Sequence, residues 1–191
     1  MVEVACSEFI LGGQRSGKSR RAEVLACQWL ERSPDHRAML IATGQAWDGE
    51  MRERIARHQR DRAERVPGMV TVEEPLALAE ALHRASDAKT LVVVDCLTLW
   101  LTNLMMPADA ALALDETAVV AAGHALCEAI AAAPGPVVLV GNEIGLGVIP
   151  MGREVRAFVD ALGRLNQSVA AACERVTLMA AGLPLTLKDK P

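Results

Sequence analysis

An α/β domain with a mainly parallel sheet and helices on both faces is what this sequence predicts, on three observations. Continuously apolar runs alternate with helix-period segments along the whole chain. A glycine-rich loop of defined spacing follows the first apolar run. A later apolar run ends on an aspartate. Strands without polar alternation are buried on both faces, and helices between them make a parallel sheet the economical solution.

The elements follow in order. Phe9 to Leu11 ends a first strand. Lys18 to Glu31 is helical, with Ala22, Leu25, Ala26, Trp29 and Leu30 on one stripe. Ser33-Pro34-Asp35 stops it, and Ala38 to Ala42 is a buried strand. Glu50 to Arg65 is a charged helix closed by Pro67-Gly68. Met69 to Val72 is a short strand, Leu76 to Arg84 a helix, and Thr90 to Val94 a strand ending at Asp95. Asp115 to Ala132 is helical and stops at Pro134-Gly135-Pro136. Val137 to Val140 is a strand, Glu154 to Cys173 a helix, and Val176 to Ala180 the last strand. Met106 to Leu114 is too short and Ala-rich to mark a boundary, so residues 1–191 are expected to form one domain.

Composition removes several functional classes. The chain has 191 residues, 51% of them hydrophobic, enough for a substantial core. Aromatics are 3%, with no Tyr, which leaves no base-stacking platform, and the net charge of −4 offers no basic field for nucleic acid or anionic lipid. No apolar run is long enough to span a membrane. Five cysteines, none in a C-x-x-C pair, are expected to be buried reduced thiols, and the N-terminus has no basic n-region of a signal peptide. A soluble cytoplasmic enzyme is the expectation, with no nucleic-acid partner and no membrane span.

Gly12-Gly13-Gln14-Arg15-Ser16-Gly17-Lys18-Ser19 matches G-x-x-x-x-G-K-[ST], the P-loop. Glycines let backbone N–H groups converge on phosphate oxygens, Lys18 reaches the β/γ-phosphates, and Ser19 is positioned to ligate Mg²⁺. The helix beginning at Lys18 aims its positive end at the same anion. Asp95, at the carboxyl end of its strand, is the candidate acid that supports the metal. Ala42-Thr43-Gly44-Gln45 and Glu73-Glu74 follow other strands at the same predicted edge, as nucleotide contacts or simply solvated strand ends.

The charged helix carries Glu50–Arg54, Glu53–Arg57 and Asp61–Arg65 pairs with the acid first. Met51, Ile55 and His58 share one face, expected to turn inward. His58, flanked by Arg57, Arg60 and Arg62, reads either as a structural imidazole or as a nucleophile toward phosphorus. Gly141-Asn142-Glu143-Ile144-Gly145-Leu146-Gly147 reads either as a flexible connection or as a loop that closes over the site.

With these segments together, the chain resembles the bifunctional adenosylcobinamide kinase/adenosylcobinamide-phosphate guanylyltransferase family. The match rests on GGQRSGKSRRAE at 12–23, IATGQAWDGEMRERIARHQ at 41–59, VTVEEP at 70–75, LVVVDCLT at 91–98, LTNL at 101–104, VGNEIGLGVIP at 140–150 and GRLNQSVAAACERVTLMAAGLP near the end. The resemblance implies a RecA-like P-loop fold, a homotrimer, and two reactions. ATP or GTP phosphorylates the aminopropanol hydroxyl of adenosylcobinamide. GTP then guanylylates His58, and adenosylcobinamide phosphate takes the GMP to give adenosylcobinamide-GDP. The nucleotide contacts it implies are Gly12 to Ser19, Ala42, Thr43, Gly44, Gln59, Arg60, Asp61, Arg62, Glu73 and Asp95. A small-molecule kinase without guanylyl transfer would leave His58 structural; a third reading is a non-catalytic GTP-binding regulator or assembly ATPase, of which the regulator lacks support because there is no N-K-x-D motif.

Overall fold

The computed structural model describes residues 4–46 and 48–190, Arg54 by its backbone alone. In chain order the elements are β1 (Ser7–Gly12), α1 (Lys18–Glu31), β2 (Arg37–Ala42), α2 (Gly49–Arg65), β3 (Val70–Glu73), α3 (Leu78–Ala85), β4 (Thr90–Asp95), α4 (Leu97–Met105), α5 (Glu116–Ala132), β5 (Val137–Val140), α6 (Arg153–Ala172), β6 (Arg175–Ala180) and β7 (Leu183–Asp189). A short 3₁₀ turn, Ala110–Leu112, lies between α4 and α5.

The sheet runs β3-β2-β4-β5-β1-β6-β7, parallel throughout except for β7. The P-loop strand β1 and the Asp95 strand β4 are thus separated by one strand, β5. Period-two alternation divides the sheet residues between two cores. Phe9, Leu11, Val92, Val94 and Leu139 face α3, α4, α5 and α6. Ile10, Leu91, Val93, Val138 and Val140 face α1 and the end of α2 at Val66. Helices therefore cover both faces, as the sequence predicts.

Two elements differ from expectation. Val176–Ala180 is not the last strand, because β7 folds back antiparallel onto β6. The turn uses Ala181 and Gly182, both at positive φ (51° and 80°), the backbone that matches the twist of a two-residue hairpin. Residues 97–105 form α4, which buries Leu97, Trp100, Leu101, Asn103 and Leu104, so the chain runs from β4 directly into a helix. Among the cysteines, all free, Cys96 and Cys173 are buried as expected, but Cys6 is exposed.

Candidate functional site

Register brings the candidate residues to one edge. Ala42 pairs with Glu73 on one side and Asp95 on the other, Asp95 with Val140, and Val140 with Ile10, two residues before Gly12. The carboxyl ends of β3, β2, β4, β5 and β1 therefore form a continuous rim, where open α/β sheets bind ligands.

The loop from Gly12 to Ser19 connects this rim to α1. Gly12 has φ 152°, and a Cβ there would meet Met179 O at 2.5 Å and Ser16 Oγ at 2.6 Å. Only glycine fits that close approach. Neighbouring segments fix the loop: Gly182 N donates to Ser16 O at 3.0 Å, and Glu143 N to Gly12 O at 3.2 Å. Lys18 is buried and its Nζ donates to Gly13 O at 2.7 Å. Ser16 Oγ is buried without a hydrogen-bond partner among the described residues. Gly13, Gln14 and Arg15 are exposed along the outside of the loop.

Ser19 Oγ donates to Asp95 Oδ2 at 2.9 Å, joining the start of α1 to the end of β4. This hydroxyl–carboxylate pair, beside phosphate oxygens and water, suits a hard cation that demands oxygen ligands. No cluster of three or more His, Cys, Asp or Glu capable of holding a metal occurs among the described residues. Mg²⁺, which is bound with few protein ligands, fits such a pair.

Ala42 and Gly44 flank the site, Gly44 packing near Leu99 and Ile55. Thr43 is fully buried, and its groups are committed internally. Its Oγ1 donates to Cys96 O at 2.7 Å and accepts from Cys96 N at 2.9 Å. Its N–H donates to Asp95 O at 3.2 Å, and its carbonyl accepts from Asn103 Nδ2 at 2.8 Å. Thr43 therefore braces the turn after Asp95. Glu73 is exposed at the end of β3, while Glu74 caps the next turn, its Oε1 accepting from Leu76 N and Ala77 N.

Helix α2 begins at an Asp48 cap that accepts from Met51 N at 2.7 Å. Of the anticipated pairs, Asp61–Arg65 closes at 3.6 Å, Glu53 and Arg57 make no ion pair among the described residues, and Glu50–Arg54 lies outside the described side chains. The stripe Met51, Ile55, His58, Arg62, Arg65 recurs at three- and four-residue steps and so occupies one face. Its ends touch the protein: Ile55 approaches Gly44, and Arg62 lines a crevice with Ser19, Glu23, Leu40 and Asp95. Burial pushes the Arg62 guanidinium below its ordinary range, while the charges of Asp95 and Glu23 oppose that shift. The inward burial expected of His58 is corrected: it lies on this face but is exposed, as are Gln59 and Arg60, while Asp61 is half-buried.

Several residues that hold this edge escape pattern reading. Asn103 bridges Thr43 O and Pro75 O, Thr98 Oγ1 accepts from Asn142 N at 2.9 Å, and Asn166 Nδ2 donates to Asn142 O at 3.2 Å. For Thr98 and Asn103, polar residues inside the otherwise apolar α4 were the available signal. The loop after β5 then exposes Leu146, Val148, Ile149 and Met151.

A family model described as cobinamide kinase / cobinamide phosphate guanyltransferase matches residues 8–187. The bifunctional adenosylcobalamin biosynthesis protein CobP of Pseudomonas aeruginosa is 48% identical over 184 residues, 96% of this chain and 98% of that protein. The Escherichia coli protein CobU, described in the same words, is 36% identical and covers 94% of this chain and 98% of its own length. Among solved structures, the flagellar accessory protein FlaH of Methanocaldococcus jannaschii aligns with a TM-score of 0.56 at 11% identity, covering 98% of this chain and 80% of that one. That likeness concerns the fold alone.

Proposed function

Because the chain belongs to the cobinamide kinase / cobinamide phosphate guanyltransferase family, we propose that it carries out both reactions at one P-loop edge, the second through a guanylylated His58. The observation that carries this reading is the docking of the His58-bearing face of α2: Arg62, four residues on, lines the crevice beside Ser19 and Asp95. Residues 1–191 act as one catalytic domain in this reading.

In the kinase step the aminopropanol hydroxyl oxygen of adenosylcobinamide attacks the γ-phosphorus of ATP or GTP. The bond to the β-phosphate oxygen breaks, the nucleoside diphosphate leaves, and the hydroxyl proton passes to solvent. Catalysis here is positioning and charge neutralisation. Backbone N–H groups of Gly13 to Lys18, the Ser16 hydroxyl and Lys18 Nζ hold the phosphates. Ser19 and Asp95 would hold Mg²⁺, which supplies charge neutralisation at the β- and γ-oxygens. Ala42, Gly44, Glu73 and Gln59 to Asp61 border the nucleotide, with Thr43 bracing them from within.

In the transfer step an imidazole nitrogen of His58 attacks the α-phosphorus of GTP. The N–P bond forms, pyrophosphate leaves with the bonding electrons, and the ring proton passes to solvent. A phosphate oxygen of adenosylcobinamide phosphate then attacks the same phosphorus, the N–P bond breaks, and adenosylcobinamide-GDP forms. A covalent intermediate divides one exchange into two in-line displacements. Arg62, with Arg57 and Arg60, offers positive charge to the developing oxyanions. Exposure of His58 suits a nucleophile that must meet two substrates in turn.

We place the enzyme in the cytoplasm; no helix among the described residues is long and apolar enough to cross a membrane. We propose a homotrimer, for which the exposed Leu183, Leu185 and Leu187 of edge strand β7 offer apolar surface. Label transfer from α-labelled GTP tests the central claim. Wild type should take up GMP in an acid-labile, base-stable adduct; His58→Ala should take none while phosphorylating adenosylcobinamide. Normal labelling of His58→Ala would move the nucleophile elsewhere, with His36, His83 and His124 next to test.

A further inference from the structure

Helix α2 has an unusual attachment for an element that carries a nucleophile. Residues 57–60, in the middle of the helix, are exposed; Ile55 leans toward Gly44 on one side, and the C-terminal end is secured on the other. Val66, its C-cap, is buried at 1% exposure against the α1 side of the sheet. Cys27 Sγ on α1 donates to Arg65 O at 3.1 Å. A further tie, from Arg65, reaches a carboxylate on α1. Glu23 Oε2 lies 3.2 Å from Arg65 Nη1 and 3.5 Å from Arg20 Nη1, with only 9% of its side chain exposed. Glu23 also lines the crevice that Arg62 enters, together with Ser19 and Asp95.

The helical spacing gives this cluster its meaning. Glu23 stands four residues after Ser19, so both lie on one face of α1, the helix that the P-loop opens. His58 stands four residues before Arg62 and seven before Arg65, on one face of α2. Two faces therefore meet, one carrying phosphate chemistry and one carrying the imidazole, and Glu23 is the buried anion between them. We propose that Glu23 is a positioning residue for guanylyl transfer: through Arg65 and Arg62 it holds the His58-bearing face of α2 in line with the P-loop. This rests on the reading of His58 as the nucleophile.

The lever is short. His58 sits about 6 Å along the helix axis from Arg62 at 1.5 Å per residue. Loosening the Arg62–Arg65 anchorage lets the helix roll or slide by an ångström at the imidazole, and misplacement on that scale costs about 100-fold in an oriented displacement. The kinase step takes no attacking group from α2, only the border that Gln59 to Asp61 give its nucleotide, so at saturating nucleotide it is spared most of this loss.

Glu23→Gln keeps the shape and removes the charge; Arg65→Gln removes the partner from the opposite side. Single-turnover label transfer from α-labelled GTP, at saturating nucleotide, is measured for wild type, both variants and the double variant, with kinase turnover assayed on the same preparations. The expected result is a fall of about 10- to 100-fold in adduct formation for each single variant, near wild-type kinase turnover, and a double variant no slower than the worse single one. Should Glu23→Gln fail to fold, Arg65→Gln decides by the same split. Unchanged adduct formation in a folded single variant, an equal fall in both reactions, or multiplicative losses in the double variant would overturn the proposal. Absence of label on wild type would remove the His58 reading, and this proposal with it; label on wild type and on Glu23→Gln at one rate removes this proposal alone.

Discussion

Thr43→Val replaces one methyl-sized group by another and deletes a single hydroxyl, at a position where that hydroxyl makes two buried hydrogen bonds to one residue. Both the N–H and the carbonyl of Cys96 lose their bond to Thr43 Oγ1, at 2.9 Å and 2.7 Å. A buried donor or acceptor left unpaired costs about 1–3 kcal/mol. The carbonyl keeps a second lone pair and falls at the low end of that range, so the pair of losses amounts to about 2–4 kcal/mol. For a chain of this size, about 2–4 °C of midpoint per kcal/mol turns this into a fall of roughly 4–16 °C. Thr43→Ser keeps the hydroxyl and loses one methyl, about 0.8 kcal/mol.

The function follows the same residues. Cys96 directly succeeds Asp95, whose carbonyl also accepts from Thr43 N, so the turn that Thr43 braces sets where the Asp95 carboxylate meets Ser19. At limiting Mg²⁺ the Val variant should therefore lose about tenfold in kinase turnover, corresponding to about 1.4 kcal/mol, and Thr43→Ser should stay near wild type. Urea unfolding with an unchanged m-value measures the stability term, and a coupled kinase assay across Mg²⁺ concentrations the other. A Val variant within about 0.5 kcal/mol of wild type, well below the cost of one unpaired group, or a Ser variant as impaired as Val, would refute the reasoning.

Lys18→Ala should abolish both label transfer and kinase turnover, because one ammonium neutralises phosphate charge in each; survival of either reaction at near wild-type rate would confine the role of Lys18 to the other. Ser19→Ala and Asp95→Ala should raise the Mg²⁺ concentration needed for half-maximal turnover far more than they lower the urea midpoint, and an unchanged Mg²⁺ dependence in both would remove the metal assignment. Stability should decline in alkali. Burial pushes the Cys96 thiol up to about 11 and the Cys173 thiol up to about 12 from an ordinary 9.0. The stability held by these protonated thiols is intact below pH 9 and is lost as pH rises toward those values, since the unfolded chain ionises first. Cys173→Ala should flatten that decline in urea midpoints measured between pH 9 and pH 11, and an unchanged slope would refute it.

The rim of strand ends was legible because its signals are local. G-x-x-x-x-G-K-[ST] and an apolar run ending in Asp95 each fit within ten residues, and buried parallel strands read directly as Val- and Leu-rich runs. The missed elements carry signals that mislead. In α4, LTLWLTNLM is apolar nearly all round and no side chain caps its start, so neither periodicity nor a cap marks a helix; burial between sheet and helices decides it. In β7 the hairpin turn begins with Ala181 rather than Asn or Asp, and the strand turns Leu183, Leu185 and Leu187 outward. The face of α2 was readable from spacing, but the depth of His58 was not. Depth depends on where Gly44 and Val66 set the helix against the rest of the protein, which is a tertiary fact.

The rim and α2 are held by different forces, and this bears on how one site can run two reactions. Beneath the P-loop, Glu8 is buried and accepts from Arg21 Nε at 2.6 Å and Thr177 Oγ1 at 2.9 Å, with Arg175 at 3.8 Å, binding β1, α1 and β6 into one block. Removing one partner from such a buried group costs about 3–5 kcal/mol, so the block resists local change. Helix α2 instead leans on half-exposed Arg65 and the entry of Arg62, contacts that solvent weakens. In the proposed mechanism a phosphate cradle has to be fixed before either nucleotide binds, whereas the His58 imidazole has to meet the α-phosphorus of one substrate and then a bulky corrinoid phosphate. Rigidity under the phosphates and a polar, shallowly anchored helix above them meet those two demands in a single cleft. On this view, changes in the Glu8 block impair both reactions together, and changes along the Glu23–Arg65 contact separate them.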